Sequence, residues 1–158
     1  MVQEQEKQRK SNHMFKLCQK RHLKFENMAP KQLFTVDGHL DLATNARTLN
    51  RDLTKDVKEI RNFEKSLGLE DFQDRGKGTV SLPELRKGNL GLVITTLISR
   101  YSSTGEKIET MALPGWNSPE QAFAYAMAQL EWYRQMESIG EMKSITNRND
   151  LMTHLSQW

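Results

Sequence analysis

The chain has 158 residues, of which 37% are hydrophobic and 27% charged, and this fits one globular domain with a buried core. Its apolar runs are shorter than the about 20 residues of a membrane span, so we expect no transmembrane segment. The single cysteine, Cys18, excludes an internal disulfide and favours a cytoplasmic setting. Residues 1–28 hold seven Lys or Arg against three Asp or Glu and account for the net charge of +3; the nearly neutral remainder predicts no nucleic-acid surface.

Residues 1–28 are polar and basic, and they predict a flexible or weakly helical tail. A basic anchor for nucleic acid or for an anionic membrane is a less favoured interpretation of the same residues. A third interpretation is that the native protein starts at Met28, just before the first predicted strand. We take residues 29–158 as the folded part of the chain.

The first predicted strand runs from Leu33 to Val36 and leads into a polar segment that contains His39 and Asp41. Apolar residues then recur at three- and four-residue spacing, which predicts one amphipathic helix. Gly68 stands where a glycine commonly ends a helix. The apolar positions of this helix are Ala46, Leu49, Leu53, Val57, Ile60 and Leu67.

A short helix and a second strand follow a polar loop. Ser81 and Glu84 have the spacing of a capping box, which predicts a short helix that ends at Gly88. The stretch Leu90–Ile98 is almost continuously apolar, which is typical of a parallel strand covered on both faces.

Two helices are predicted in the last third of the chain. Ser118 suits an N-cap and Gln121 completes a capping box, while Gly140 follows the last turn of this helix. A final helix opens near Asn149 or Asp150. The stripe expected to face the core in the first of them consists of Phe123, Ala126, Met127, Leu130, Met136 and Ile139; the final helix aligns Leu151, Leu155 and Trp158.

The order strand, helix, short helix, strand, helix, helix predicts βαβ units and a parallel sheet. Two strands are too few for a sheet whose edges are covered. We therefore expect an α/β fold of which this chain is the front part.

His39 and Asp41 are the candidate metal ligands. Side chains two residues apart on a strand share a face, and imidazole and carboxylate groups both bind zinc. Barrel enzymes place such residues at the carboxyl ends of their strands. We expect Asp37 to make a structural contact on the opposite face instead. Arg100 and Tyr101 follow the second predicted strand at the same end and are candidates for the mouth of the site.

Several segments together resemble the membrane (renal) dipeptidase family of zinc peptidases, in a bacterial branch. The resemblance covers about residues 33–158. The segments are Val36–Leu42 (VDGHLDL), Thr79–Gly88 (TVSLPELRKG), the strand Leu90–Ile98, Leu113–Ala122 (LPGWNSPEQA) and Gln129–Arg134 (QLEWYR).

The resemblance implies a (β/α)8 TIM-like barrel that hydrolyses dipeptides with two zinc ions, one of them bound by His39 and Asp41. The family's bridging glutamate, its two further histidines, and the arginine and aspartate that act on substrate come from later strands. We find no counterpart of these in the sequence and therefore expect no catalytic residue within this chain. We expect the N-terminal part of such a barrel, inactive alone, and leave a homodimer open for the full-length protein.

Two alternatives remain beside the truncated dipeptidase. One is a non-catalytic binding or interaction module derived from the same fold, with the basic tail contacting a partner. The other is a fragment of an unrelated α/β hydrolase with a one-metal site.

Overall fold

The computed structural model describes residues 33–104 and 115–158 of the chain. The predictions for the tail at 1–28, for Met28 and for Cys18 lie outside the described residues. The described elements are, in chain order, β1 (Thr35–Leu40), α1 (Leu42–Thr48), α2 (Val57–Leu67), α3 (Leu82–Lys87), β2 (Leu90–Thr95), β3 (Arg100–Tyr101), β4 (Gly115–Trp116), α4 (Pro119–Ser138) and α5 (Arg148–Gln157).

Strands β1 and β2 pair in parallel, which confirms the predicted pairing. Val36 lies opposite Leu92, and Leu40 lies opposite Thr95. The described strands form a mixed α/β arrangement of two small sheets, β1 with β2 and β3 with β4. A barrel therefore stays a prediction.

Strand β2 is shorter and less covered than predicted. It ends at Thr95 rather than Ile98, and the side chain of Ile94 is 60% exposed, so the prediction of a strand buried on both faces is wrong for the described residues. Beyond Thr95, the Thr96 N–H still donates to the Leu40 carbonyl of β1 at 3.4 Å, and the backbone groups that follow bond to side chains of α4.

The predicted long helix is two helices. Helix α1 ends at Thr48, and Asn50 then adopts a left-handed conformation with φ of 53°. Asp56 starts α2 through a capping box with Glu59. The helical break lets Arg51 turn inward as a buried residue. The predicted apolar positions are nevertheless buried, with Leu67 as the exception: Ala46, Leu49, Leu53, Val57 and Ile60.

The core lies between the helices that follow β1 and the short helix α3. Its buried members are Leu42, Ala46, Leu53, Ile60 and Leu82, and Trp132, Tyr133 and Met136 of α4 pack against them. Within the described residues, no helix is long and apolar enough to cross a membrane.

Helix α3 begins after Ser81 as predicted, but the predicted capping box is wrong. The Ser81 hydroxyl is buried and finds no hydrogen-bond partner among the described residues, and Glu84 pairs with Lys87 instead. The backbone N–H of Leu82 donates to the Leu53 carbonyl at 2.9 Å, so the start of α3 is held by the chain before α2.

Helix α4 turns only part of the predicted stripe to the core, since Met136 packs there but Phe123, Met127 and Ile139 are exposed. Ser118 does cap it, accepting from the N–H of Gln121 at 3.2 Å. Phe123 is 68% exposed and Ile139 59%, whereas Gln129 is fully buried. Polar groups at the end of β2 require hydrogen-bond partners, and Gln129 supplies them, which explains why a polar residue faces inward.

Helix α5 begins at Arg148, with Asn147 as its N-cap, slightly earlier than predicted. Its end packs on the amino end of the β1–β2 pair. Phe34 contacts Trp158 edge to face, with ring centroids 5.9 Å apart. The ring of His154 lies with its Nε2 2.6 Å from the Gly91 carbonyl oxygen, which explains its inward position.

Candidate functional site

His39 and Asp41 meet at the carboxyl end of β1. His39 lies in the strand and Asp41 is the N-cap residue of α1. The distance from His39 Nε2 to Asp41 Oδ1 is 3.2 Å, so the predicted shared face is confirmed. The His39 side chain is 74% exposed and that of Asp41 29%, so solvent reaches both. Asp37 makes a structural contact as predicted, accepting the His39 backbone N–H at 2.8 Å, while the opposite face predicted for it stays a prediction.

The Asp41 side chain does not cap its own helix. An N-cap aspartate usually accepts a backbone N–H of the first turn, but this one makes no such bond. Its Oδ1 instead accepts the hydroxyl of Thr96, which follows β2. The Asp41 carbonyl accepts Asn45 Nδ2 at 3.0 Å. Two elements therefore determine where this carboxylate lies: β1 through the backbone, and the end of β2 through the hydroxyl.

Tyr133 of α4 fixes the backbone next to this pair. Its hydroxyl donates to the Thr96 carbonyl at 3.2 Å and accepts the N–H of Ala43 at 3.2 Å. Burial raises the pKa of Tyr133, and the nearby Asp41 charge raises it further, against the hydrogen bonds that lower it. The phenol therefore stays protonated and keeps donating at physiological pH.

Gln129 takes the place of a strand beside the end of β2. Its Oε1 accepts the N–H of Ile98 at 2.9 Å and its Nε2 donates to the Ile98 carbonyl at 2.5 Å. The same Oε1 accepts the Thr44 hydroxyl of α1 at 3.3 Å. Beside Ile98 the chain of β1 has already turned into α1. The amide side chain of Gln129 therefore pairs with the backbone N–H and carbonyl that a neighbouring strand would otherwise pair with.

A cleft of about 560 Å³ opens beside the His39–Asp41 pair. Its lining includes the cationic side chains of Arg51 and Lys77 as well as the carboxylates of Asp41 and Asp74. The polar lining residues are His39, Asp41, Thr44, Asn45, Thr48, Arg51, Asp74, Lys77 and Thr79.

A buried ion network supports one wall of this cleft. The carboxylate of Glu64, 2% exposed, accepts Arg51 Nε at 2.9 Å, Arg75 Nη1 at 2.9 Å and the Gly76 N–H at 2.8 Å. Burial would raise the pKa of Glu64, but these hydrogen bonds together hold it below its usual value. Arg51 in turn donates to Asn45 Oδ1 at 2.9 Å, which connects the network to the residue that binds the Asp41 carbonyl.

Arg100 and Tyr101 lie on β3, paired with β4, and both are exposed. Neither lines the cleft beside His39 and Asp41. Their assignment to the mouth of the site stays a prediction.

The His39–Asp41 pair fits two positions of a zinc coordination shell. Donor atoms bound to a tetrahedral zinc at about 2.0–2.1 Å lie about 3.3 Å from each other, close to the 3.2 Å between these two atoms. Zinc sites in proteins use three or more protein ligands. Among residues 33–104 and 115–158, no group of three His, Cys, Asp or Glu side chains converges. The pair therefore offers two candidate zinc ligands, and a metal site here stays a prediction.

Comparison of the chain with protein-family models, with curated proteins and with solved structures found no match in any of the three.

Sequence reasoning missed the supporting residues Thr96, Tyr133 and Gln129. The sequence did contain a signal for two of them, namely a polar residue within an otherwise apolar stretch. Such a residue must find a hydrogen-bond partner when it is buried. Thr96 interrupts the predicted second strand in this way, and Gln129 does so on the inner face of α4.

Proposed function

We propose that this chain carries half of the first metal site of a zinc-dependent dipeptidase. The observation that carries the proposal is the 3.2 Å separation of His39 Nε2 and Asp41 Oδ1 beside an open cleft. The position at the carboxyl end of a parallel strand supports it, because open α/β sheets bind their ligands beyond that end of the strands. The resemblance of Val36–Leu42 to the opening motif of the dipeptidases supplies the reaction class.

The chemistry needs more than this pair. Two zinc ions lower the pKa of a shared water and polarise the scissile carbonyl when they are bound. In this chain, His39 and Asp41 would hold one of them, and the cleft would admit the dipeptide. With two ligands the pair binds metal weakly, so we expect no peptidase activity from residues 1–158 alone. We further propose a cytoplasmic setting, and we leave a homodimer open for the full-length protein.

A zinc titration of the full chain tests the half-site. The imidazole ¹H–¹³C signals of His39 are followed by NMR while Zn²⁺ is added. We expect a saturable shift of the His39 signals that is lost in Asp41→Asn, with the other imidazoles less affected. His154→Gln is the matched control, because it removes another imidazole while keeping a group that can donate to the Gly91 carbonyl. An unchanged His39 signal at saturating Zn²⁺ would contradict the proposal.

The reaction class has a separate test. The reading frame beyond the codon for Trp158 is sequenced and searched for a glutamate on an apolar strand, followed by two histidines at later strand ends. That continuation would support the dipeptidase. A stop codon there would contradict it.

A non-catalytic binding module is the second candidate. The observation that favours it is the pair of ligands without a third among the described residues. For such a module we expect a stop codon after Trp158 and no zinc-dependent shift of His39.

A further inference from the structure

We propose that Thr96 is a positioning residue for Asp41 and raises the zinc affinity of the His39–Asp41 pair. The Thr96 hydroxyl holds the carboxylate where it faces the imidazole. The inference rests on the proposed function, since it concerns the same metal.

The Asp41 carboxylate is oriented by Thr96 and not by its own helix. Asp41 is an N-cap residue whose side chain makes no capping hydrogen bond, so the helix does not hold it. Its Oδ1 accepts the Thr96 hydroxyl and lies 3.2 Å from His39 Nε2. A carboxylate has about four lone-pair sites, so accepting one hydroxyl leaves others for a metal ion.

The Thr96 hydroxyl has one dominant acceptor, the Asp41 carboxylate. A threonine hydroxyl carries a single proton. The Leu40 carbonyl also lies within reach of Thr96 Oγ1, but at 3.5 Å, which is too long for a strong bond. The carboxylate of Asp41 is the closer acceptor and carries the charge, and charge strengthens a hydrogen bond.

Thr96 is itself held in place by its backbone. Its N–H donates to the Leu40 carbonyl at 3.4 Å, and its carbonyl accepts the Tyr133 hydroxyl at 3.2 Å. A β-branched side chain has few rotamers once its backbone is fixed. The donor that holds Asp41 is therefore preorganised by backbone hydrogen bonds to β1 and to Tyr133 of α4.

A preorganised partner of this kind affects metal binding measurably. Replacing a residue that hydrogen-bonds a metal ligand typically lowers metal affinity by about 10–100-fold. Without the Thr96 hydroxyl, the Asp41 side chain is free to rotate away from His39, and each zinc bound must then restrict that rotation.

The test is a Zn²⁺ titration of the full chain and three variants, with the His39 imidazole signals as the readout. Thr96→Val keeps the shape and removes the hydroxyl, Thr96→Ser keeps the hydroxyl and removes the methyl group, and Thr96→Ala removes both. We expect the dissociation constant to rise about 10–100-fold in the valine and alanine variants and to stay close to the wild-type value in the serine variant. Thr35→Val, at the opposite end of β1, is the matched control and should not change it.

The three variants separate the effect of the Thr96 hydroxyl from the effect of side-chain packing. If only the packing of the side chain mattered, the valine variant would bind zinc normally and the serine variant would not. That result would overturn the inference. If the valine variant fails to fold, by circular dichroism, the serine and alanine variants still differ by the hydroxyl alone. Equal affinity of those two would also overturn it.

The outcomes distinguish this inference from the proposed function. Wild-type binding through His39 together with unchanged binding in Thr96→Val overturns the role of Thr96 and leaves the half-site standing. Absence of any His39 shift in the wild type overturns the half-site, and with it this role. A second readout is the visible absorption of bound Co²⁺, whose shape depends on the ligand arrangement. It should change in Thr96→Val and be restored in Thr96→Ser.

Discussion

Replacing Glu64 by glutamine should remove much of the stability of this fold. Its Oε1 accepts Arg51 Nε and Arg75 Nη1, each at 2.9 Å, and its Oε2 accepts Arg51 Nη2 at 3.2 Å and the Gly76 N–H at 2.8 Å. Glutamine has almost the same shape, but its NH2 group faces two of these donors. The change therefore costs two hydrogen bonds to a charged acceptor and leaves two guanidinium groups without their buried counter-charge.

The magnitude follows from these contacts. A hydrogen bond to a charged group contributes about 1.5–3 kcal/mol, and removing one partner of a buried pair costs about 3–5 kcal/mol. We expect Glu64→Gln to lower the free energy of unfolding by about 3–5 kcal/mol. A domain has about 5–15 kcal/mol in total, so the variant should lose a substantial share of its stability and unfold at a clearly lower urea concentration.

The assay is urea unfolding followed by circular dichroism at 222 nm. Glu131→Gln is the matched control, since that carboxylate is exposed and its ion pair with Arg134 is 3.5 Å long. It should change the free energy by less than about 0.5 kcal/mol. A loss below about 1 kcal/mol in Glu64→Gln would refute the reasoning, because it would mean that the network contributes no more than an exposed pair.

Three further predictions concern pH, the end of β2 and strand packing. The pKa of Glu64 lies below its usual 4.5. Its contribution to stability is therefore complete above pH 4.5 and is lost as the pH falls through the lower pKa of the folded state. At pH values below 4.5 the urea concentration at the unfolding midpoint should fall, and it should fall less in Glu64→Gln. Gln129→Leu leaves the N–H and carbonyl of Ile98 without their partner and should cost about 1–3 kcal/mol in urea unfolding. Gly91→Ala drives a methyl group into the Phe34 ring and should cost about 1–3 kcal/mol, seen as a lower melting temperature.

Each of these has a control. Gln135→Leu changes an exposed glutamine of the same helix and should leave stability nearly unchanged. Gly38→Ala introduces a methyl group into open space and should be tolerated. A pH profile of Glu64→Gln that matches the wild type would contradict the assigned role of that carboxylate. Equal stability of Gln129→Leu and Gln135→Leu, or of Gly91→Ala and Gly38→Ala, would contradict the packing arguments.

Short sequence patterns predicted the helices and strands better than they predicted which faces of those elements are buried. Alternation placed His39 and Asp41 on one face, and the N-cap at Ser118 was right, because both depend on a few consecutive residues. The long helix was wrong, because Asp56 and Glu59 form a capping box in the middle of the apolar pattern. That box was present in the sequence, but the spacing of buried residues continued across the break and concealed it.

The sequence alone determined which residues come near one another along the chain: the His39–Asp41 pair, the helix starts and the apolar positions around Leu53. Only the tertiary structure decided that Thr96 would hold Asp41, that Gln129 would stand in for a strand, and that Arg51 and Arg75 would share Glu64. Those contacts join residues 11–55 positions apart. The physical reason is that a buried polar group must be paired, whereas its partner is chosen by the packing of whole elements, which no local pattern encodes.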